Sequence, residues 1–500
     1  MNRKEKLVVV KNSVANIARG GASAIVAIAL PPFLTRSMGS AEYGVWSIVL
    51  QLGAYVGYLD FGIQTAVSRY VAHATERQDL KERDEIVNTA MAFLAMAGVA
   101  ALALAAILSA FLPELFRQMP AAYVHQARMA VLIFSGSLAL GLPASVFNGI
   151  FVGLQRNEVS ALVIGGSRVV FALVVIWLAE RGYSLITLAA AASIVNVASY
   201  AVLYLCYLRM VEGIHIGTKY FSMDAGRQLI GYCKSLSVWS FAMLLVTGLD
   251  LTLVGIFRFS EAAYYSVAAS LIVFLAGLQN AIFTAMIPAT AVLHARKDGA
   301  ALGEAMLTAT RYGMLILLGT GLPLIFAPVP ILRLWVGNDY ALRAAPLLQL
   351  LTIANVVRLS ATPYVVTLIG TGQQRLVIIS PLMEGITNLL VSVVAGFYFG
   401  AIGVAFGTLA GGIVGVLSNF LYNMKRTKEI AFSVRSYLKE AILRPLLCFT
   451  PIFLFVIFGN HHEWHPRLET QKLLVSVLGT AFLIFRWGLN PGRSIETCKG

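Results

Sequence analysis

Apolar runs of roughly twenty residues follow one another from Asn12 almost to the C-terminus, each long enough to cross a hydrocarbon core about 30 Å thick. A chain built this way has lipid as the solvent of its outer surface. Because lipid offers the backbone no hydrogen-bond partners, the runs must be helices that satisfy their own N–H and C=O groups. Of 500 residues, 58% are hydrophobic and 12% charged, about half the charged share of a soluble domain. The expected fold is all-α integral membrane, with about fourteen transmembrane helices.

The expected spans of a first half are Asn12 to Leu34, Gly44 to Ile63, Ile86 to Phe111, Gln126 to Gly153, Val159 to Ala179 and Ser184 to Tyr207. A second half covers Lys234 to Phe257, Ala262 to Leu293, Ala305 to Ala327, Ala344 to Gly370, Leu376 to Tyr398 and Ala401 to Met424. Leu446 to Gly459 and Gln471 to Trp487 form a final pair. The organisation predicted is an N-terminal six-helix lobe over 1–207, a cytoplasmic linker over 208–233, a C-terminal six-helix lobe over 234–424, and an amphipathic segment plus two C-terminal helices over 425–500. The basic N-terminus (Arg3, Lys4, Lys6, Lys11) leads into a run too long for a signal-peptide core, so it is expected to stay as the first helix.

An internal duplication supports the two halves. Ser40-Ala41-Glu42-Tyr43 recurs as Glu261-Ala262-Ala263-Tyr264, and Val71-Ala72-His73-Ala74 recurs as Val292-Leu293-His294-Ala295 at the same offset. Gly153-Leu154-Gln155-Arg156 recurs as Gly372-Gln373-Gln374-Arg375, each after a span containing a proline, Pro143 or Pro363. An even number of spans separates matching points, so both halves enter the membrane with one polarity and can be related by an axis along its normal. A cavity between two such lobes can open to either side by rocking, which is a transporter plan.

The net charge of +14 does not point to nucleic acid. Most basic residues lie between apolar runs, in Arg69 to Glu85, Arg209 to Cys233 and Lys425 to Arg444 above all, which is the positive-inside pattern. Both termini are expected on the cytoplasmic side. In the last of these loops Val434, Tyr437, Leu438, Ala441 and Ile442 fall at helical spacing opposite Arg435, Lys439 and Arg444, which predicts a helix on the inner membrane surface. The four cysteines form no C-x-x-C clip, and His461, His462, Glu463 and His465 miss the H-E-x-x-H zinc pattern because Pro466 stands where the second histidine belongs. No metal site, cofactor or disulfide framework is expected. No glycine-rich phosphate loop followed by Lys-Ser/Thr is present, so transport would draw on a gradient or on substrate supply and removal.

Charged residues inside the spans carry most of the functional information. Arg19, Asp60, Arg168, Asp250, Arg311, Arg358 and Glu384 each cost roughly 2.5–3.5 kcal/mol at a bilayer centre, so they must face protein or water. As structural locks, they would pair arginine with acid between helices. As functional groups, Arg19, Arg168 and Arg358 would line the cavity, since a guanidinium presents forked donors suited to phosphate or carboxylate oxygens. Asp60, Asp250, Arg311 and Glu384 are the candidates for coupling or gating, with Asp250 and Glu384 suited to proton-linked switching. Gly403, Gly407, Gly411 and Gly415 repeat every four residues, a spacing for close helix contact.

The early part of the chain resembles a known family. Leu34-Thr35-Arg36-Ser37-Met38-Gly39-Ser40-Ala41-Glu42-Tyr43-Gly44-Val45-Trp46, Asp60-Phe61-Gly62-Ile63 with Arg69-Tyr70-Val71-Ala72, and Phe147-Asn148-Gly149 leading to Gly153-Leu154-Gln155-Arg156 are similar to the early-helix signatures of the polysaccharide transporter branch of the multidrug/oligosaccharidyl-lipid/polysaccharide exporter superfamily, the O-antigen flippase type. The resemblance implies two six-helix lobes plus two extra helices, the MATE-like fold of that superfamily, around a cationic cavity. It implies translocation of undecaprenyl-diphosphate-linked oligosaccharide across a bacterial inner membrane, with Arg19 suited to the arginine that recurs on the first helix of related flippases. Its partners would be the lipid-linked oligosaccharide, membrane lipids, and polysaccharide polymerase and chain-length proteins. The rivals are a multidrug/cation antiporter of the same superfamily, which favours an acidic aromatic cavity, and a membrane polymerase, which needs catalytic groups in a sizeable external loop.

Overall fold

Among the residues described by the computed structural model, 21–284, 286–373, 376, 378–427, 430–459 and 466–489, every regular element is a helix. In chain order these are α1 (Gly21–Ser37), α2 (Ser40–Ala54), α3 (Ile63–Glu76), α4 (Leu80–Ala110), the short α5 (Leu112–Leu115), α6 (Ala121–Gly153), α7 (Asn157–Glu180) and α8 (Leu185–Met210). The second half holds α9 (Met223–Met243), α10 (Asp250–Phe257), α11 (Ala262–Thr284), α12 (Met286–Ala295), α13 (Gly299–Phe326), α14 (Pro328–Val336), α15 (Asn338–Leu359), α16 (Thr362–Gly370), α17 (Ile379–Phe399) and α18 (Ala401–Ser418). Shorter pieces up to Cys448, then Thr450–Gly459 and Pro466–Leu483, complete the described chain.

Ten of these helices are long and apolar enough to cross a membrane, against about fourteen spans expected from apolar run length. Interrupted segments account for part of the difference. The second expected span passes from α2 into a 3-10 turn, Tyr55–Asp60, then through Phe61 and Gly62 in left-handed conformation (φ 49° and 78°) before α3 begins. Glycine is required at 62 twice over: the backbone conformation favours it, and a Cβ there would stand 2.6 Å from Leu236 of α9. Thr362–Gly370 also starts anew after Ser360, within a stretch that is counted among the ten, with Pro363 in its first turn where a missing N–H costs nothing.

The duplicated motifs meet in space. Gly44 lies against Ala262 and Ala263, so the two copies of the Glu/Ala-rich tetrapeptide face each other where α2 packs on α11. Tyr43 and Tyr264 both set their rings against Tyr340 of α15, at centroid distances of 6.2 and 5.3 Å. Around this seam a buried cluster joins both halves through Trp46, Phe116, Leu332 and Ala401. The second pair of motifs ends α3 and α12 in the same way: Gln78 and Lys297 turn left-handed (φ 58° and 55°), and Asp79 and Asp298 then cap the next helix by accepting from Glu82 N and Ala301 N, each at 2.9 Å. Of the third pair, 374 and 375 lie outside the described residues.

Glycine spacing on α18 has the consequence expected of it. A Cβ at Gly407 would stand 2.7 Å from Ser392 N and 2.9 Å from Asn388 O, and one at Gly411 would stand 2.8 Å from Glu384 O, so only hydrogen at these positions lets α17 approach. The segment predicted to lie on the membrane surface is instead docked on protein. Tyr437 is fully buried with Met306 and Tyr364, and its hydroxyl donates to Ser360 O at 2.8 Å. Tyr437 and Ala441 of its apolar face are buried against protein, while Val434 and Leu438 stay exposed.

The connection between the halves is clasped to α4. Arg83 donates to Gly213 O; Asp84 accepts from His215 N at 3.1 Å and meets His215 Nδ1 at 3.0 Å; Asn88 donates to His215 O at 2.7 Å and accepts from Gly217 N at 2.9 Å. The helix α9 starts at Met223, inside the stretch assigned from sequence to the linker, with Ser222 as its cap. Asn88→Ala strands two linker backbone groups, and the expected cost is about 1–3 kcal/mol. The thermal midpoint in detergent should fall accordingly; an unchanged midpoint would mean that the clasp carries no stability.

Candidate functional site

Where the halves diverge from the seam they enclose a cavity of about 790 Å³. Its wall takes Ser23 and Leu30 from α1, Gln51 from α2, Arg168 from α7, Asp250 from α10, Ser266 and Asn280 from α11, Asn355 and Arg358 from α15, and Thr408 from α18. A second cavity of about 560 Å³ lies wholly within the first half and holds Asp60, Gln64, Asn148, Asn196 and Tyr200. Leu50, Arg168 and Phe171 line both, so Arg168 stands on their boundary.

Arg358 faces the first cavity from the second half. Its Nη2 donates to Asn355 Oδ1 at 2.6 Å, and its Nε stands 3.9 Å from Glu384 Oε1. Glu384 sits behind it against Gly415 and is absent from both cavity linings. Both side chains are largely buried, 17% and 12% exposed, a separation at which the pair neutralises charge but leaves the guanidinium fork incompletely used. Asp250 begins α10 and is buried. Its Oδ2 accepts from Tyr265 Oη at 3.3 Å and Thr408 Oγ1 at 3.2 Å, and its Oδ1 accepts from Asn388 Nδ2 at 3.1 Å. One carboxylate thereby ties together α10, α11, α17 and α18.

Asp60 closes the 3-10 turn and accepts from Gln64 N at 3.3 Å, beside the left-handed bend that α9 presses upon. Arg311 is separate from this group. It is buried on α13 with its guanidinium 5.5 Å from the Tyr312 ring, and it lines neither cavity. Arg19 lies outside the described residues; Ser23, four residues on, lines the first cavity. Among the described residues no group of three or more His, Cys, Asp or Glu could hold a metal, and His461, His462, Glu463 and His465 fall outside them.

Sequence reasoning missed Tyr265, Asn355, Asn388 and Thr408. Neutral polar groups carry no charge to single them out, although Asn388 follows Glu384 by four residues on one helix face and Thr408 adjoins Gly407 of the close-contact stripe.

Two repeated helical halves that enclose a charged cavity within a bundle of membrane-length helices have the layout that alternating access across a membrane requires. Solved structures share this fold. The chain superposes on the lipid II flippase MurJ in its inward closed conformation with a TM-score of 0.73 and 15% identity, covering 95% of this chain and 98% of that one. It superposes on an inward-facing multidrug resistance MATE family transporter of the MOP superfamily with a TM-score of 0.58 and 17% identity over 83% and 94%. A MOP superfamily transporter from Pyrococcus furiosus gives 0.60 and 16% over 85% and 96%. Residues 9–294 match the family described as polysaccharide biosynthesis protein, and the chain belongs to that family. A Shigella flexneri protein assigned as an O-antigen transporter is 32% identical over 88 residues, which span 18% of this chain and about a fifth (21%) of that relative.

Water in the cavity can be tested directly. In a background with Cys206, Cys233, Cys448 and Cys498 replaced by serine, Ser270→Cys, on the cavity wall, should react with a charged, water-soluble thiol reagent. Leu390→Cys, on a side chain 62% exposed to the lipid face, should not, because a thiolate does not form in hydrocarbon. Equal labelling at both positions would contradict this assignment of surfaces.

Proposed function

We propose that the protein is a flippase that moves undecaprenyl-diphosphate-linked oligosaccharide from the cytoplasmic to the periplasmic leaflet of a bacterial inner membrane by alternating access. The observation that carries the reading is the placing of Arg168 and Arg358, one from each half, on the wall of one cavity. Family membership supports a glycan pathway, and the local likeness to an O-antigen transporter supports a lipid-linked glycan.

The chemistry follows from the cavity groups. A diphosphate carries several oxygens, and two guanidinium forks from opposite sides meet them with charge-assisted hydrogen bonds. Arg358 has its Glu384 partner at 3.9 Å, loose enough for an entering anion to take over the fork. Ser23 supports Arg19 as a third basic contact from the first helix. The glycan stays in the aqueous cavity while the polyprenyl chain remains in lipid, so the polar head crosses without being dissolved in hydrocarbon.

Rocking of the halves that opens and closes the tyrosine seam would expose the cavity alternately. At the opposite end, the bend at Phe61 and Gly62 against α9, where Ser237 Oγ donates to Phe61 O at 3.4 Å, is the complementary gate. Asp250 is the coupling group: neutralising it with a proton or a monovalent cation alters the bonds that hold α10 to α17 and α18. Arg311, remote from the cavities, would act on the packing of α13. The basic loops support a cytoplasmic position for both termini, and polymerase and chain-length proteins would receive the product. Two guanidiniums to one carboxylate in the larger cavity weigh against a cation antiporter.

The test is leaflet transfer of lipid-diphosphate-linked oligosaccharide in proteoliposomes, scored by accessibility to an external enzyme. Loss of a hydrogen bond to a charged group costs about 1.5–3 kcal/mol, so Arg168→Ala and Arg358→Ala should each slow transfer by about ten- to a hundredfold. Arg168→Lys should retain part of the rate. A wild type that transfers no glycan tried but binds a cationic dye would replace the flippase with the antiporter.

A further inference from the structure

The second cavity has a chemistry of its own. Three serines on its wall have already given their protons to helix carbonyls: Ser145 to Leu142 O at 2.7 Å, Ser167 to Ile164 O at 2.9 Å and Ser199 to Asn196 O at 2.7 Å. Each hydroxyl oxygen is left as an acceptor beside the cavity. Asn196 donates to Ser137 Oγ at 3.2 Å and retains its amide oxygen. Asn148 is 3% exposed, and its Oδ1 has no hydrogen-bond partner among the described residues.

A buried amide oxygen left unmatched is costly, and a turn of the Asn148 side chain toward the cavity it lines would give that oxygen a donor on an occupant. Around these groups stand the apolar faces of Phe134, Phe171 and Tyr200, with Tyr200 held against Gly141 where any larger residue would displace it. An acyl chain would satisfy the rings and leave the amides and hydroxyls unpaired. With Arg168 taken up by the diphosphate, a second anion would meet only the carboxylate of Asp60. The volume, about 560 Å³, lies within the range of small-molecule pockets.

We infer that this first-half cavity is a saccharide subsite, taking a neutral sugar bearing hydroxyl or acetamido groups that is attached to the diphosphate held at Arg168. A pyranose offers hydroxyl donors to the serine and asparagine oxygens and an apolar C–H face to the aromatic rings. Arg168, shared by the two cavities, sets the junction between diphosphate and sugar. Glycan selectivity thus resides in Asn148, Asn196 and Tyr200, apart from the arginines that hold the diphosphate.

This subsite rests on the proposed flippase function, and the experiment separates the two. Purified full-length protein is titrated with undecaprenyl diphosphate bearing a neutral disaccharide and with the same lipid bearing no sugar. The expected result is that the disaccharide tightens binding to the wild type. Asn196→Leu or Ser199→Ala then weakens binding of the sugar-bearing form about tenfold and leaves the sugarless form unchanged. Arg168→Ala weakens both. Ser199→Ala removes one oxygen and little else, so a folding defect in the leucine variant does not decide the matter. A disaccharide that adds nothing, or variants that weaken both forms alike, overturn the subsite and leave the flippase standing. A wild type that binds neither form overturns both.

Discussion

Charge inside a lipid-facing bundle is the constraint from which the rest of this structure follows. An ionised side chain at the bilayer centre costs roughly 2.5–3.5 kcal/mol, and the chain carries several within its spans. Three of them show how such charge is met. Asp250 receives three donors from three helices, Arg358 has Asn355 and Glu384, and Arg168 opens onto the boundary of two cavities. Only a bundle with a polar interior can supply those answers, so burial of charge and formation of an internal cavity go together.

The chamber depends on how the halves are joined. Small residues let the repeated tetrapeptides pack closely where α2 meets α11, and aromatic rings from three helices fill the end of the bundle around them. Away from that seam the halves diverge and the cavity begins. Within the second half, glycines on α18 allow α17 so near that Asn388 and Thr408 both reach Asp250. Close packing thereby positions the polar network, and a change of charge at Asp250 would act on the helices that the glycines bring together.

Much of this was legible in the sequence because it depends on strong, periodic signals. Apolar runs near twenty residues give membrane helices, tetrapeptides repeated at a fixed offset give two halves, and arginines in apolar runs point to a polar interior. What escaped depends on local or three-dimensional detail. Phe61 in left-handed conformation breaks a span that hydropathy reads as continuous, and only Gly62 beside it hints at the bend. Tyr437 is buried because of where α13 and α16 stand, which amphipathic spacing cannot tell from a membrane surface. Arg311 and Arg168 look alike as sequence, yet one is packed away from the cavities and the other lines both.

Rocking that opens and closes the seam is the central claim, and a reversible lock tests it most directly. A Cβ at Gly44 would lie 3.8 Å from Ala263 Cβ, near the mean separation of about 3.8 Å in disulfides. With the native cysteines replaced, Gly44→Cys with Ala263→Cys should form a disulfide on oxidation. Transfer of lipid-linked oligosaccharide in proteoliposomes should then stop, and return when the bond is reduced. Full transfer with the bond intact would contradict alternating access by opening of this seam.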